Sequence, residues 1–255
     1  MTLRVSVITI FPQMIEQYLA SSVMGRATKR ELLEVTVLDL RSFTDDPHRS
    51  IDDAPYGGGP GMLMMAEPML RALSDPRVVA PVIGLSPIGK TFDQVDARAL
   101  SSLAGFTLVC GRYEGFDARI EERCDRLLSI GDFVLAGGEL AALVVIEATA
   151  RLLEGVLGNE TSAKDESFAD DLLLEYPQYT RPREIDGAAV PEVLLSGDHG
   201  EVDRWRYAQR LVRTIQHRPD LIERRGGISE KEVEILHRYG YDELLQSFDK
   251  ERFER

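Results

Sequence analysis

Residues 105–140, GFTLVCGRYEGFDARIEERCDRLLSIGDFVLAGGEL, combine frequent glycines with two short apolar runs. The runs at 106–110 and 127–130 predict buried strands. A glycine turn follows each run directly, at 111–115 and at 131–132, and a third lies at 137–138. At the carboxyl ends of parallel strands, glycine turns let a ligand approach the backbone closely. A single turn of this kind would be a plain connection, but three in succession that carry Arg, Tyr, Glu and Asp predict a binding site.

The composition is that of a globular protein. The chain has 255 residues, 44% of them hydrophobic, which is enough for one large domain or two small ones. Cys110 and Cys124 lack the paired spacing of a zinc site or a disulfide framework, which favours a reducing cytoplasm. No signal peptide or membrane span is expected, because no apolar run is long and uninterrupted.

Charge is unevenly distributed along the chain. The net charge of −13 argues against a polyanionic partner. Residues 204–225, however, carry seven arginines against two carboxylates, Asp220 and Glu223. This segment therefore has a local charge of +5, which suits contact with phosphates.

Strands and helices alternate through the first part of the chain. Strands are predicted at 3–10, 33–40 and 78–85, the last ending in a turn at 86–90, and helices at 12–20, 67–74, 92–104 and 139–154. This alternation predicts an α/β fold with a mostly parallel sheet. The first strand lacks the Gly-x-Gly-x-x-Gly turn of a dinucleotide-binding domain.

Two stretches between these elements have two possible interpretations each. The loop at 45–62 has four glycines but no Gly-Lys-Ser/Thr ending, which excludes a phosphate-binding P-loop. It is either a mobile linker or a substrate-contacting loop, and its Tyr, His, Arg and paired Asp favour the latter. The basic stretch at 25–30 is either solvated surface or a phosphate contact, and solvated surface is favoured.

The pattern changes beyond Gly155. Residues 159–171 are polar and acidic and predict an interdomain loop, and 176–191 are irregular. A helix at about 200–217 would carry arginines and a histidine on one face and apolar residues on the other. We interpret the first face as a phosphate-binding surface rather than a solvated one, because no carboxylates interleave with Arg206, Arg210, Arg213 and His217. A final helix is predicted to begin with a capping box at residues 229–232, and we interpret it as part of the core rather than as a binding element.

Several short sequence motifs, spread over nearly the full length of the chain, together resemble the bacterial tRNA (guanine-N1)-methyltransferases. This family, the TrmD family, belongs to the SPOUT class of S-adenosylmethionine enzymes. The motifs are DD at 52–53, PYGGGPGM at 55–62, LSP at 85–87, VCGRYEG at 109–115, SIGD at 129–132, GGEL at 137–140, GVLG at 155–158, YTRP at 179–182 and VLLSGDH at 193–199.

The resemblance implies a domain organisation. Residues 1–158 would form a cofactor-binding domain with a deep trefoil knot, 159–175 an interdomain loop, and 176–255 a small, mostly helical tRNA-binding domain. The chain would be a homodimer with its active site at the subunit interface. S-adenosylmethionine would be held by three loops, through Leu85, Ser86, Pro87, Gly111, Tyr113, Glu114, Ser129, Ile130, Gly131, Phe133, Leu135, Gly137 and Gly138.

The resemblance also implies a reaction: methylation of N1 of guanosine 37, just 3′ of the tRNA anticodon, when a guanosine precedes it. Arg151 would stabilise charge on O6, and a carboxylate would remove the N1 proton. The family usually has Asp directly before Ser-Phe, whereas this chain has Glu166 there, beside Asp165; Glu166 is the expected base and Asp165 the alternative. Magnesium would be required, with no ligand set evident. Substrate contacts would come from Arg26, His48, Arg49, Asp52, Tyr56, Gly57, Gly58, Ser162, Arg181, Arg206, Arg210 and Arg213.

Two competing hypotheses remain. The Asp-to-Glu change is also compatible with a noncatalytic RNA-binding protein that retains the knot. A methyltransferase with another nucleoside or RNA target is disfavoured by the 57–60 loop and the carboxyl-terminal strings. Neither a membrane nor DNA is an expected partner.

Overall fold

The computed structural model describes residues 2–157, 166–169 and 171–253. The chain divides into two compact units, residues 1–160 and 161–255. No helix in the described part of the chain is long and apolar enough to cross a membrane.

The first unit is built on a parallel sheet, as the alternating pattern predicts. Its five strands in the described chain are β1 (Leu3–Thr9), β2 (Leu33–Asp39), β5 (Val82–Thr91), β6 (Gly105–Cys110) and β7 (Arg126–Ser129), in the order β2-β1-β6-β5-β7. All neighbouring pairs are parallel. Two short strands, β3 (Asp52–Asp53) and β4 (Leu63–Met64), form a separate antiparallel pair.

Helices cover both faces of this sheet. On one face pack α1 (Pro12–Leu19), α2 (Ser22–Lys29), α4 (Gln94–Ser101) and α6 (Glu139–Ala150). On the other lie a 3₁₀ turn (Leu40–Phe43), α3 (Ala66–Leu73) and the short α5 (Ala118–Glu121). The strands send alternate side chains to the two cores, for example Val7 to the first and Ile8 to the second. β6 is buried along its whole length, because it has a strand on either side and a helix layer on each face.

Several element boundaries differ from the sequence prediction for local reasons. The strand β5 begins at Val82 rather than residue 78. Before it, the N–H and carbonyl of Val79 bond the Thr107 hydroxyl, so they do not pair with the backbone of a neighbouring strand. Helix α4 begins at Gln94 because Asp93 is its N-cap and forms a capping box with Asp96. The basic stretch at 25–30 is largely the last turns of α2, where Arg26 is exposed.

The second unit is mostly helical. It contains the hairpin β8 (Glu184–Ile185) and β9 (Ala188–Ala189), a 3₁₀ turn (Glu192–Leu195), and helices α7 (His199–His217), α8 (Pro219–Arg224), α9 (Glu230–Arg238) and α10 (Asp242–Phe253). Its core includes Leu173, Leu211, Ile222 and Leu236. The single carboxyl-terminal helix predicted from the sequence is wrong: two helices form, separated at Gly240, whose φ of +78° is outside the helical region.

Candidate active site

The predicted glycine turns meet in one cleft of about 410 Å³ in the first unit. Its walls come from β5, from the turn after β6 and from the loop after β7. All thirteen residues that the resemblance assigns to cofactor binding, from Leu85 to Gly138, line it. The structure therefore brings together the three turns.

The first wall is a bulge within β5 rather than the strand-end turn predicted at 86–90. Leu128 of β7 pairs with both Leu85 and Lys90, so the four residues between them loop out of the ladder. The strand then resumes through Thr91. Lys90 bonds the carboxylate of Asp96 at 2.8 and 2.9 Å, which anchors the end of the bulge to α4. The bulge directs Ser86, Pro87 and Ile88 into the cleft.

The second wall is the tight turn after β6. Gly115 donates its N–H to the carbonyl of Arg112 at 2.9 Å, and Tyr113 lies in the left-handed region with φ +58°. The turn packs along the 45–62 loop, since Glu114 N–H bonds the Met62 carbonyl at 3.0 Å. Burial raises the pKa of the Tyr113 hydroxyl, and the nearby Asp52 carboxylate, which accepts its hydrogen bond, raises it further.

The third wall requires a close approach between two loops. After β7 the chain returns to the end of β6, where Gly138 donates its N–H to the Gly111 carbonyl at 2.8 Å and Gly137 forms a bridge with Arg112. A Cβ on Gly138 would lie 2.9 Å from the Cα of Cys110. Only glycine therefore allows this segment to lie against β6.

A buried carboxylate lies directly beneath the cleft. Glu139, at the start of α6, is 1% exposed. It accepts hydrogen bonds from Thr9 Oγ1 at 2.9 Å and from Arg112 Nε at 3.2 Å. The Arg112 guanidinium also stacks 4.5 Å from the centre of the Phe11 ring. These contacts join β1, the turn after β6 and α6. The pKa of the neighbouring Cys110 thiol is raised well above its usual value, first by burial and then by the negative charge of Glu139.

Comparison with known proteins identifies the family. The family model described as tRNA (Guanine-1)-methyltransferase TrmD matches residues 3–224. The chain belongs to the TrmD family. A protein of Anaeromyxobacter sp. (strain Fw109-5) named tRNA (guanine-N(1)-)-methyltransferase is 50% identical over 95% of this chain and 98% of its own. A protein of the same name from Frankia alni is 54% identical over 86% of this chain and 85% of its own.

Arg151, the catalytic arginine that the TrmD resemblance suggests, lies at the far end of α6 from the cleft. It is the C-cap of this helix, whereas Gly138, which lines the cleft, is the N-cap. The helix has 12 residues, which at about 1.5 Å per residue puts roughly 18 Å between its ends. Arg151 is partly buried and its N–H bonds the Glu147 carbonyl at 3.0 Å.

The two candidate bases are Glu166 and Asp165. Glu166 is partly buried in the second unit. Asp165 and the substrate candidate Ser162 lie outside the described residues. Ser167, next to Glu166, accepts the Glu175 N–H at 2.9 Å, which orders the backbone just after the candidate base.

The substrate candidates of the first unit lie mostly around the 45–62 loop. His48, Arg49, Tyr56, Gly57 and Gly58 are exposed, and Asp52 is next to Tyr113. Both Gly57 and Gly58 have positive φ, so the loop turns sharply at its tip. Arg26 on α2 is exposed and is not among the residues that line the cleft.

The exposed arginine face predicted for α7 is wrong at Arg210. This residue is 8% exposed, and both of its terminal nitrogens bond the Asp171 carboxylate at 2.8 Å. The sequence pattern did not reveal the pair because its acidic member lies 39 residues upstream. Arg206 and Arg213 remain partly exposed on the same helix, and Arg181 is exposed.

Sequence reasoning also missed the buried network of Thr9, Arg112 and Glu139. Two of these residues lie in strings that the resemblance used, VCGRYEG and GGEL, yet neither received a role. A charged residue that starts an apolar helix, as Glu139 does, is a signal for a buried carboxylate with a partner. Among the described residues no group of three or more His, Cys, Asp or Glu side chains could hold a metal ion.

Proposed function

We propose that this chain transfers a methyl group from S-adenosylmethionine to N1 of a guanosine in tRNA. Membership of the TrmD family carries this proposal, together with curated relatives of about 50% identity whose names state the same reaction. The cleft between the bulge in β5, the turn after β6 and the loop after β7 is the candidate cofactor site.

The cleft fits a cofactor of this kind. Its volume of about 410 Å³ lies within the range of roughly 300–1,000 Å³ for clefts that hold small ligands. Leu85, Ile130 and Leu135 supply apolar surface, the glycine turns expose backbone donors and acceptors, and Glu114 supplies a carboxylate for a cationic group. S-adenosylmethionine, when bound, supplies a methyl group on a positively charged sulfur.

We further propose that the first unit is a deep trefoil knot of residues 1–158, followed by an interdomain loop at 159–175 and a tRNA-binding domain at 176–255. The knot proposal is supported by the return of the segment after β7 across the turn that follows β6, with Gly138 packed on Cys110. The division of the chain into units near residue 160 supports a separate carboxyl-terminal domain.

The chemistry of the acceptor requires a base and a cation. N1 of guanine carries a proton near neutral pH, and its removal builds negative charge on O6. Glu166 is proposed to remove this proton, with Asp165 as the alternative, and a positioned base contributes about 10²- to 10⁴-fold. Arg151 is proposed to stabilise O6, an effect of several kcal/mol when the cation is fixed in place.

A homodimer explains how Arg151 can act. Within one chain it lies roughly 18 Å from the cleft end of α6, too far to contact a base whose N1 meets a methyl group there. A second copy would bring its own Arg151 to this cleft. Exposed apolar residues Tyr18, Leu140 and Val144 on α1 and α6 are available to such an interface.

The proposed acceptor is guanosine 37, just 3′ of the anticodon and preceded by guanosine, in a cytoplasmic tRNA. The exposed 45–62 loop beside the cleft, with His48, Arg49, Asp52 and Tyr56, is proposed to contact the unstacked bases, as proteins do in single-stranded RNA loops. Arg26, Arg181, Arg206 and Arg213 are proposed to contact phosphates. Magnesium is proposed to act with substrate and cofactor, since the described residues offer no dedicated site.

Radiolabelled methyl transfer to two tRNA transcripts tests this function. One transcript carries guanosine 3′ of the anticodon and the other adenosine. Label on the guanosine transcript alone is expected. Label on neither transcript would instead favour a noncatalytic RNA-binding protein.

Separate assays of Glu166→Gln and Asp165→Asn test the base. We expect the Glu166 variant to lose activity by about 10²-fold or more and Asp165→Asn to retain it. Near-normal methylation by the Glu166 variant would transfer the role to Asp165.

A further inference from the structure

A second cleft, of about 670 Å³, lies entirely within the carboxyl-terminal unit. The irregular segment at 176–183 forms one wall, and the 3₁₀ turn with α7 forms the other. Its volume is within the range of roughly 300–1,000 Å³ that is typical of ligand clefts.

The frame of this cleft is ordered by backbone contacts. β8 and β9 are joined by Asp186 and Gly187, both at positive φ, as a two-residue hairpin requires. Val190 N–H bonds the Arg183 carbonyl at 2.9 Å, which extends this pairing to the mouth of the cleft. Arg183 and Val190 are thereby fixed on opposite strands of the hairpin base.

The cleft is lined by cations. Arg181, Arg183 and Arg206 line it and no carboxylate does, although the whole chain has a net charge of −13. Arg183 pairs with Glu192 at 2.6 Å outside the lining, and Arg206 lies 3.7 Å from Asp203, beyond hydrogen-bond distance. No described residue forms an ion pair with Arg181. A cleft of this charge favours an anionic ligand.

The cleft also offers aromatic surface. The guanidinium of Arg206 lies 4.8 Å from the centre of the Tyr176 ring, and its Nε is buried with no hydrogen-bond partner among the described residues. Tyr179 is 49% exposed, and Leu195 across the cleft is 47% exposed. A base that enters the cleft has the Tyr179 ring to stack on and Leu195 as a further apolar contact.

We infer that this cleft binds one unstacked nucleotide of the tRNA, with its base on Tyr179 and its phosphate on Arg181 and Arg183. The inference rests on the proposed function, because it takes tRNA as the substrate, and it adds a nucleotide site apart from the methyl acceptor. Aromatic rings and arginines combine in this way where proteins bind single-stranded RNA. Because every base has a stacking face, the site adds affinity and tolerates different bases.

Binding of a fluorescent tRNA transcript, measured by anisotropy at several salt concentrations, tests the inference without relying on catalysis. Tyr179→Ala is expected to weaken binding about 5- to 100-fold, whereas Tyr179→Phe, which keeps the ring, binds as the unmodified protein does. Arg181→Gln is expected to weaken binding and to reduce the slope of log K against log salt by about 1. Lys231→Gln, on the exposed side of α9, removes one positive charge outside the cleft and controls for net charge.

The outcomes separate this site from the methyl-transfer proposal. Binding of labelled S-adenosylmethionine is expected to be unchanged in the Tyr179 and Arg181 variants, because neither side chain lines the cofactor cleft. The inference is overturned if Tyr179→Ala binds tRNA normally, or if Arg181→Gln has no greater effect than Lys231→Gln. If the binding losses occur but the unmodified protein methylates no transcript, the nucleotide site stands and the proposed activity fails.

Discussion

Single residues decide whether the loops of the cleft can meet. Gly138 is the clearest case, because its N–H bonds the turn after β6 and its missing side chain admits the backbone of Cys110. The sequence predicted the turn from its glycines, but the atom that approaches each glycine depends on tertiary contacts. The same holds for Glu139, whose partners come from β1 and from the turn after β6.

Gly138→Ala is expected to destabilise the first unit by about 1–3 kcal/mol, since the new methyl group would overlap backbone that cannot move freely. It is also expected to weaken S-adenosylmethionine binding. Thermal unfolding and equilibrium dialysis measure the two effects. Gly200→Ala is the control, because its Cβ would meet only side-chain atoms, at 3.3 Å or more; equal effects of the two substitutions would contradict the close approach.

Arg210 provides a second test at the scale of one residue. Asp171→Asn leaves the buried guanidinium of Arg210 without a charged partner, and we expect the free energy of unfolding to fall by about 1–3 kcal/mol. This loss is smaller than that for a fully buried ion pair, because Asp171 is partly exposed. Urea unfolding measures this loss. If Arg210→Gln weakened tRNA binding without lowering stability, the phosphate contact predicted from the sequence would be correct instead.

Elements were predictable where a local pattern controls them. The strands at the sheet centre and the start of α1 at Pro12 follow the sequence closely, because apolar runs and proline act locally. The bulge in β5 was not predictable, since it is defined by how Leu128 of β7 pairs with two separated residues. The break between α9 and α10 was missed, although the sequence carries a signal for it: Gly240, which has a positive φ in the structure, follows the end of α9.

The start of α9 is stabilised by an unusually acidic carboxyl group. Burial opposes ionisation of Glu232, but hydrogen bonds from Tyr207 at 2.6 Å, from the Ser229 N–H at 2.7 Å and from Arg225 at 2.7 Å lower its pKa to about 2. The group is less acidic in the unfolded chain, with a pKa of 4.5. Its stabilisation is therefore fully present above about pH 4.5 and is lost as the pH falls towards about 2.

Glu232→Gln is expected to lower stability by about 2–3 kcal/mol at pH 7, and this difference from the unmodified protein should shrink below pH 4.5. Urea unfolding between pH 3 and pH 7 measures it. Glu234→Gln, at an exposed position of the same helix, controls for general effects of charge. A difference that stays constant across this range would contradict the role of the ionised carboxyl group.

At the scale of the whole molecule, we propose that the reaction uses two copies of the chain. The cleft lies at one end of α6 and Arg151 at the other, so a complete site would combine the cleft of one copy with Arg151 of the second. The sequence already implied this separation, because the resemblance assigned Gly138 to the cofactor just before the helix predicted at 139–154 and assigned Arg151 to O6 near the end of that helix.

A heterodimer of Leu135→Trp and Arg151→Gln subunits, purified through two different tags, tests this arrangement. The first substitution is expected to fill the cleft of its own chain. Each homodimer should be inactive, whereas the heterodimer keeps one intact pair and should show about half of the unmodified activity. An inactive heterodimer would mean that Arg151 acts within its own chain.

The most direct measurement for the whole account is equilibrium dialysis of the purified protein against labelled S-adenosylmethionine. The account predicts saturable binding that S-adenosylhomocysteine displaces and that Leu135→Trp abolishes while the chain remains folded. Absence of binding by the unmodified protein, or full binding by the Leu135→Trp variant, would contradict the assignment of the cofactor to the cleft between the bulge in β5, the turn after β6 and the loop after β7.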